Sequence, residues 1–274
     1  MRDNRGMPPA PLHRIRIVLV ATTHPGNIGS AARAMKTMGL ARLVLVAPRH
    51  FPHPEADALA AGADDVLAGA RVVDDLDAAL AGCVLALGCT PRPRTVPMPE
   101  WTPREAAPRA LAEAAAGEVA IVFGTESSGL SNEQVQRCHA AVNIPADPAY
   151  DSLNLAQAVQ VLCYELRIAA LAAALPGPVA AGGPEAPARA EPPATAGELE
   201  GLFGHLDAAL FEIDFLKGRG SANLMRRLRR LFLRARPTRR EVLILRGILA
   251  EAQRCARLSG VAAAARAREG RRVE

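Results

Sequence analysis

Aromatic side chains are scarce in this 274-residue chain, which has one Trp, two Tyr and six Phe. Base stacking therefore has few instruments, and composition names no base-reading residue. Cysteine is sparse as well: Cys83, Cys89, Cys138, Cys163 and Cys255 are dispersed and form no Cys-x-x-Cys pair, which argues against a disulfide framework and a structural zinc site. The histidines offer no ligand spacing, because Pro52 and Pro54 break any helix that would align His50 with His53. Half of the residues are hydrophobic, yet no apolar run approaches the roughly 18–20 residues of a membrane span. Met1 to Leu12 is Pro-rich and mixed in charge, without the apolar centre of a signal peptide. A cytoplasmic protein of one or two domains is expected, long enough to bury a sizeable core.

What is present is a lopsided charge distribution. Ten Lys or Arg and no Asp or Glu lie between Lys217 and Arg240. The rest of the chain holds 23 basic against 28 acidic residues, so the net +5 comes from this one segment. A localised basic block is the footprint of a nucleic-acid binder. Lys36 and Lys217 are the only lysines, so part of the Arg richness is compositional bias.

Short apolar runs alternate with helical patterns from Arg14 to Leu175. Ile15 to Val20, Leu43 to Val46, Val84 to Leu87, Val119 to Phe123 and Val142 to Ile144 read as buried strands. Gly29 to Met38, Pro54 to Ala61, Asp75 to Ala81, Pro103 to Ala116, Ser131 to Cys138 and Leu153 to Leu175 read as helices. This alternation predicts an α/β domain with a mostly parallel sheet and helices on both faces. The expected organisation is a flexible N-terminus (1–13), the α/β domain (14–175), a Pro/Ala/Gly linker (176–197), a helical basic extension (198–260) and a frayed tail (261–274). In the extension, Leu224, Leu228 and Leu231 are expected inward. Lys217, Arg219, Arg226, Arg227, Arg229, Arg230 and Arg234 are the RNA-binding candidates.

Three strand-to-loop junctions stand out. The first, Thr22 to Arg33, has a Gly-x-x-Gly turn, but it lacks the dinucleotide spacing and no carboxylate ends the next strand at Ala47-Pro48-Arg49. Arg33 lies one helical turn in and reaches the loop, or is an ordinary exposed helix residue. The second and third are Leu87 to Arg94 and Phe123 to Leu130. Glu126 in the third either bonds N–H groups of its own loop or serves a site. Neither Ser127 nor Ser128 fits a hydrolase elbow. A fourth stretch, Ile144 to Leu155, is a proline-bounded loop running into a helix that Asp151 or Ser152 can cap. Loops at the carboxyl ends of parallel strands are where ligands sit in such sheets.

Together, Asn27-x-Gly29-(x)3-Arg33, Phe123-Gly124-x-Glu126-x-x-Gly129-Leu130 and Ser152-Leu153-Asn154-Leu155 resemble the three signature motifs of the SPOUT-class RNA 2′-O-methyltransferases. The resemblance covers about residues 14 to 170. It is strongest to the bacterial TrmJ branch, which methylates the ribose of tRNA residue 32, and extends through Leu228 to Pro237. Thr125, Ser127 and Ser128 stand where that branch often carries basic residues. The resemblance implies a trefoil knot near the carboxyl end of the sheet, a homodimer and an S-adenosylmethionine site. By position, the cofactor would be held by Cys89, Thr90, Pro91, Gly124, Glu126, Ile144, Asp151, Ser152 and Leu153. Arg33, Asn27, Ser152 and Asn154 would serve catalysis, with no metal required. A guanidinium titrates above about 12, so Arg33 is expected to anchor phosphate and stabilise the forming oxyanion rather than act as base. A ribosomal RNA 2′-O-methyltransferase and a non-catalytic RNA-binding protein of the same fold are the alternatives.

Overall fold

The computed structural model describes residues 11–90, 98–150, 152–174 and 191–260. Two compact units divide the chain, Met1–Ala188 and Arg189–Glu274. Pro91 and Asp151, two of the cofactor candidates, lie outside the described residues, as do most of the N-terminal segment, most of the linker and the tail.

Unit 1 is built from β1 (Ile15–Val20), α1 (Pro25–Met38), β2 (Arg42–Val46), α2 (Pro54–Ala60), α3 (Asp64–Ala68), β3 (Arg71–Val73), α4 (Leu76–Leu80), β4 (Cys83–Cys89), β5 (Glu100–Trp101), α5 (Pro103–Ala116), β6 (Glu118–Phe123), α6 (Asn132–Gln136), β7 (Ala140–Val142) and α7 (Leu155–Ala174). The strands form one seven-stranded sheet in the order β3-β2-β1-β6-β4-β7-β5. Every pairing in it is parallel. All six β1 residues are buried, because helices cover both faces. Ile15, Ile17 and Leu19 join the core that α1, α5 and α7 complete, while Arg16 on the other face donates to the Ala79 carbonyl of α4 at 2.7 Å. Each fully buried Ile or Leu there contributes about 1.5–3 kcal/mol.

Parallel strands put all their carboxyl ends at one edge, so the loops after β1, β4, β6 and β7 share a rim. The opposite edge is structural: Glu118 pairs with both Arg16 and Arg42. β7 sits between β4 and β5 although it follows both in sequence. A knot is expected near this carboxyl edge, and residues 91–97, which follow β4, lie outside the described residues.

Several elements differ from expectation. α1 starts at Pro25, four residues before Gly29, because proline suits the first helical position. β3, β5 and α3 carry no apolar pattern long enough to read. The start of α7 is capped not by Ser152 but by Asn154, whose Oδ1 accepts from the N–H groups of Ala156 (2.9 Å) and Gln157 (3.3 Å). By length and composition α7 can cross a membrane, a property not expected from its interrupted apolar run. It is a core helix: Leu155, Val159, Leu162, Cys163 and Leu166 are buried against the sheet domain.

Unit 2 contains α8 (Ala196–Glu212), α9 (Ala222–Ala235) and α10 (Arg239–Leu258). Capping boxes, Thr195 with Glu198 and Thr238 with Glu241, start α8 and α10. Residues 192–194, expected in the linker, belong here instead: Ala194 is buried and its N–H donates to the Pro237 carbonyl at 2.9 Å. A small core joins Leu199, Leu202, Phe203, Leu233 and Val242, with Met225 and Phe232 against it. Leu231, expected inward, is 47% exposed. Leu224 and Leu228 are half-buried, and the α9 residues that reach the small core are Met225, Phe232 and Leu233.

Candidate active site

Glu126 organises the rim. It lies in the loop after β6, yet its carboxylate points at the start of α1. There it accepts hydrogen bonds from the backbone N–H of Thr23 (3.1 Å), the N–H of His24 (3.1 Å) and Nδ2 of Asn27 (3.0 Å). The first turn of a helix has N–H groups with no partner of their own, and an anion there is favoured by the helix dipole. Partial burial pushes the Glu126 carboxyl up, but the bonds from Asn27, His24 and Thr23 together outweigh it and hold the group below the ordinary carboxylate range.

Asn27 carries the connection onward. Its Oδ1 accepts from Nδ2 of Asn154 at 3.0 Å, and Asn154 in turn caps α7. Because a carboxylate only accepts, the Asn27 amide has one orientation: nitrogen to Glu126, oxygen to Asn154. Glu126–Asn27–Asn154 is therefore a relay linking residues from all three motifs, across sequence separations of 99 and 127. Each of the two amides keeps one further N–H, since each NH2 group has two donors.

Two hollows lie beside the relay. One is a cavity of about 110 Å³ lined by Cys89, Thr90, Phe123, Gly124, Glu126, Val142, Ile144, Leu153 and neighbouring residues. The loops after β4, β6 and β7 meet there as expected. Gly124 makes the middle loop possible: a Cβ on it would lie 2.0 Å from the Gly129 carbonyl carbon, where the loop closes on itself through Thr125 and Gly129. The other is an open groove of about 740 Å³ lined by His24, Asn27, Ser30, Arg33, Thr37, Glu55, Asn154, Gln157 and Gln160, among others. Arg33 is exposed there, and among the described residues no carboxylate pairs with it.

Of the expected catalytic residues, Arg33, Asn27 and Asn154 come together at the groove. Ser152 is exposed and lines neither hollow. Of the expected cofactor residues, Cys89, Thr90, Gly124, Glu126, Ile144 and Leu153 line the cavity, but the Glu126 carboxylate is committed to α1. Burial pushes the Cys89 thiol well up, with Cys138 and Cys163 adding to it, so Cys89 is a neutral wall and no nucleophile. Gly29 belongs to packing: a Cβ there would lie 2.0 Å from the Ala56 carbonyl oxygen of α2. His24, Gln157 and Gln160 went unnoticed because single polar residues near a helix start carry no pattern.

The cavity fits an S-adenosylmethionine moiety in kind. Its walls are apolar side chains and loop backbone, which suit a flat ring and a ribose. Its volume is below the roughly 300–1,000 Å³ of small-molecule sites, so the whole cofactor would extend past Leu153 or open that lip.

On the basic unit, the candidates divide. Arg229 donates to Glu200 through both terminal nitrogens, one of them at 2.9 Å, and stacks over Phe203 at 4.3 Å. This expected RNA contact is engaged within its own unit. Lys217, Arg219, Arg226, Arg227 and Arg234 are exposed, and Arg230 is half-buried.

A parallel sheet with its motif loops gathered at one rim, around a cavity and a groove that presents Arg33, is the arrangement of a SPOUT-class methyltransferase. Residues 14–164 match the SpoU rRNA methylase family, and residues 197–261 match the C-terminal domain of the tRNA methyltransferase TrmJ. The chain belongs to the SpoU methylase family, in its TrmJ branch. It is 51% identical over 254 residues to the tRNA (cytidine/uridine/adenosine-2′-O-)-methyltransferase TrmJ of Pseudomonas aeruginosa, covering 90% of this chain and 96% of that one. It is 50% identical over 239 residues to the tRNA (cytidine/uridine-2′-O-)-methyltransferase TrmJ of Escherichia coli K12, covering 87% and 95%. The crystal structure of TrmJ from Z. mobilis superposes with a TM-score of 0.72 at 35% identity, covering 86% of this chain and 97% of that one.

Proposed function

We propose that this protein transfers a methyl group from S-adenosylmethionine to a ribose 2′-OH of tRNA, at residue 32 of the anticodon loop. The observation that carries the reading is the Glu126–Asn27–Asn154 relay, which fixes the donor cavity and the Arg33 groove against each other. The names of the similar proteins support tRNA as substrate and cytidine and uridine as targets. A cytoplasmic location follows from that substrate.

Cys89, Thr90, Gly124, Ile144 and Leu153 would hold the cofactor. When bound, it would supply a sulfonium methyl for transfer to the ribose O2′, with the thioether as leaving group and the hydroxyl proton passing to solvent; no metal is called for. The chain's own residues orient the nucleophile. The spare N–H groups of Asn27 and Asn154 direct the ribose, and Arg33 pairs with the adjacent phosphate and with the charge that develops on O2′. Positioning of this kind supplies roughly 7–11 kcal/mol in favourable cases. Exposed arginines of α9 grip the tRNA backbone. The family's knot and homodimer complete the proposal; Tyr164, Ile168 and Leu171, exposed at helical spacing on α7, support a second copy packed there.

Arg33→Ala tests the mechanism. Methyl transfer should fall by about 10²–10³ while calorimetric cofactor binding is unchanged. Near-normal turnover would remove Arg33 from the reaction. A second reading, methylation of ribosomal RNA, is favoured by the description of the matching family; offering both RNAs in one assay separates them.

A further inference from the structure

In a chain with nine aromatic residues, one exposed ring stands in a loop, other residues of which line the proposed donor cavity. Tyr150 is 79% exposed, the highest value among the large hydrophobic side chains described. It lies in the loop between β7 and α7, flanked in sequence by Ala146 and Leu153, both of which line the cavity. The loop around it is tied down. The Tyr150 N–H donates to the Asp147 carbonyl at 2.9 Å, the Asp147 carboxylate accepts from the Ala149 N–H at 2.8 Å, and Asp147 and Tyr150 form an antiparallel bridge. Four residues on, Asn154 is bonded to Asn27. The ring is thus carried by a turn closed on itself, four residues before the relay's Asn154, so little entropy is lost within the turn when something lies on it.

Resting on the function proposed above, we propose that Tyr150 is the stacking platform for the base of the nucleotide being methylated. A ribose hydroxyl within a stacked loop is poorly accessible, and drawing its nucleotide out forfeits stacking. An aromatic face restores it, typically by about 5- to 150-fold in affinity per base, and does so for any base because every base has a π-face. Such a platform accounts for tolerance of more than one base without a dedicated hydrogen-bond reader, matching the mixed targets in the names of the similar proteins.

The test compares Tyr150→Ala, Tyr150→Phe and Tyr150→Leu in the full-length protein. Steady-state methylation of tRNA is measured alongside calorimetric S-adenosylmethionine binding. Tyr150→Ala should raise KM for tRNA about tenfold or more, with cofactor affinity unchanged. Tyr150→Phe should restore wild-type KM and Tyr150→Leu should not. A tRNA lacking the base at the methylated residue should erase the difference between wild type and Tyr150→Ala. Unchanged KM in Tyr150→Ala would overturn the assignment. So would an equal loss of cofactor binding, which would give the ring to the donor instead. A wild-type protein inactive on tRNA but binding the cofactor would overturn the function itself, a result distinct from either.

Discussion

Glu126 belongs to the second motif and serves the first. Its carboxylate spans the sheet rim to close the N-terminus of α1, and this role has a pH signature. Its folded-state value is depressed below the ordinary range. The stabilisation is therefore present above the unfolded value, near about 4.3, and is lost as pH falls through the lower folded value. Glu126→Gln keeps one acceptor but turns an NH2 group towards donors. In urea unfolding at pH 7 it should cost about 1–2 kcal/mol, a range discounted for partial solvent access, and the difference from wild type should shrink towards pH 3. A difference that is flat with pH would show that the charge is not what matters. Asn27, Arg33 and Asn154 were legible through the resemblance of their motifs to the family; spacing alone left Arg33 evenly balanced with an ordinary exposed helix residue. The partners of Glu126 were not, because a contact across about a hundred residues leaves no local pattern, and local bonding within its loop was an equal expectation.

Among the elements, long buried strands were readable and edge elements were not. β1 matches its apolar run residue for residue, as α5 matches Pro103 to Ala116. β3 and β5 have three and two residues, with Arg71, Val72 and Glu100 exposed, so hydrophobic patterning has nothing to act on. The helix α9 shows the same limit in another form. Its period was clear, but the phase of its inward face depended on where Phe203 and Glu200 of α8 sit. Two classes of arginine follow. Arg229→Ala should destabilise unit 2, lowering its melting temperature by a few degrees and leaving Glu200 without its partner. Paired substitution of Arg226 and Arg227 by Ala should leave melting unchanged, weaken tRNA binding and reduce the salt slope by up to about two. Equal melting losses in both variants would contradict the division.

At the scale of the whole molecule, the proposed function divides between the two units. Unit 1 assembles the cavity and the Arg33 groove, proposed to hold donor and ribose, at the carboxyl rim of a parallel sheet. The excess positive charge lies in the 217–240 segment of unit 2, where it raises affinity for a polyanion without specifying a sequence. The uneven charge was legible early, since charge counts need no three-dimensional information, whereas the expected knot leaves no trace in periodicity. The central claim, transfer of methyl to a tRNA ribose, is tested most directly by incubating the protein with labelled S-adenosylmethionine and a mixture of total tRNA and ribosomal RNA, then mapping ribose methylation. Label confined to tRNA, at a single anticodon-loop ribose at position 32 and absent with Arg33→Ala, is the expected result. Label in ribosomal RNA alone, on a base rather than a ribose, or in neither RNA despite cofactor binding, would contradict it.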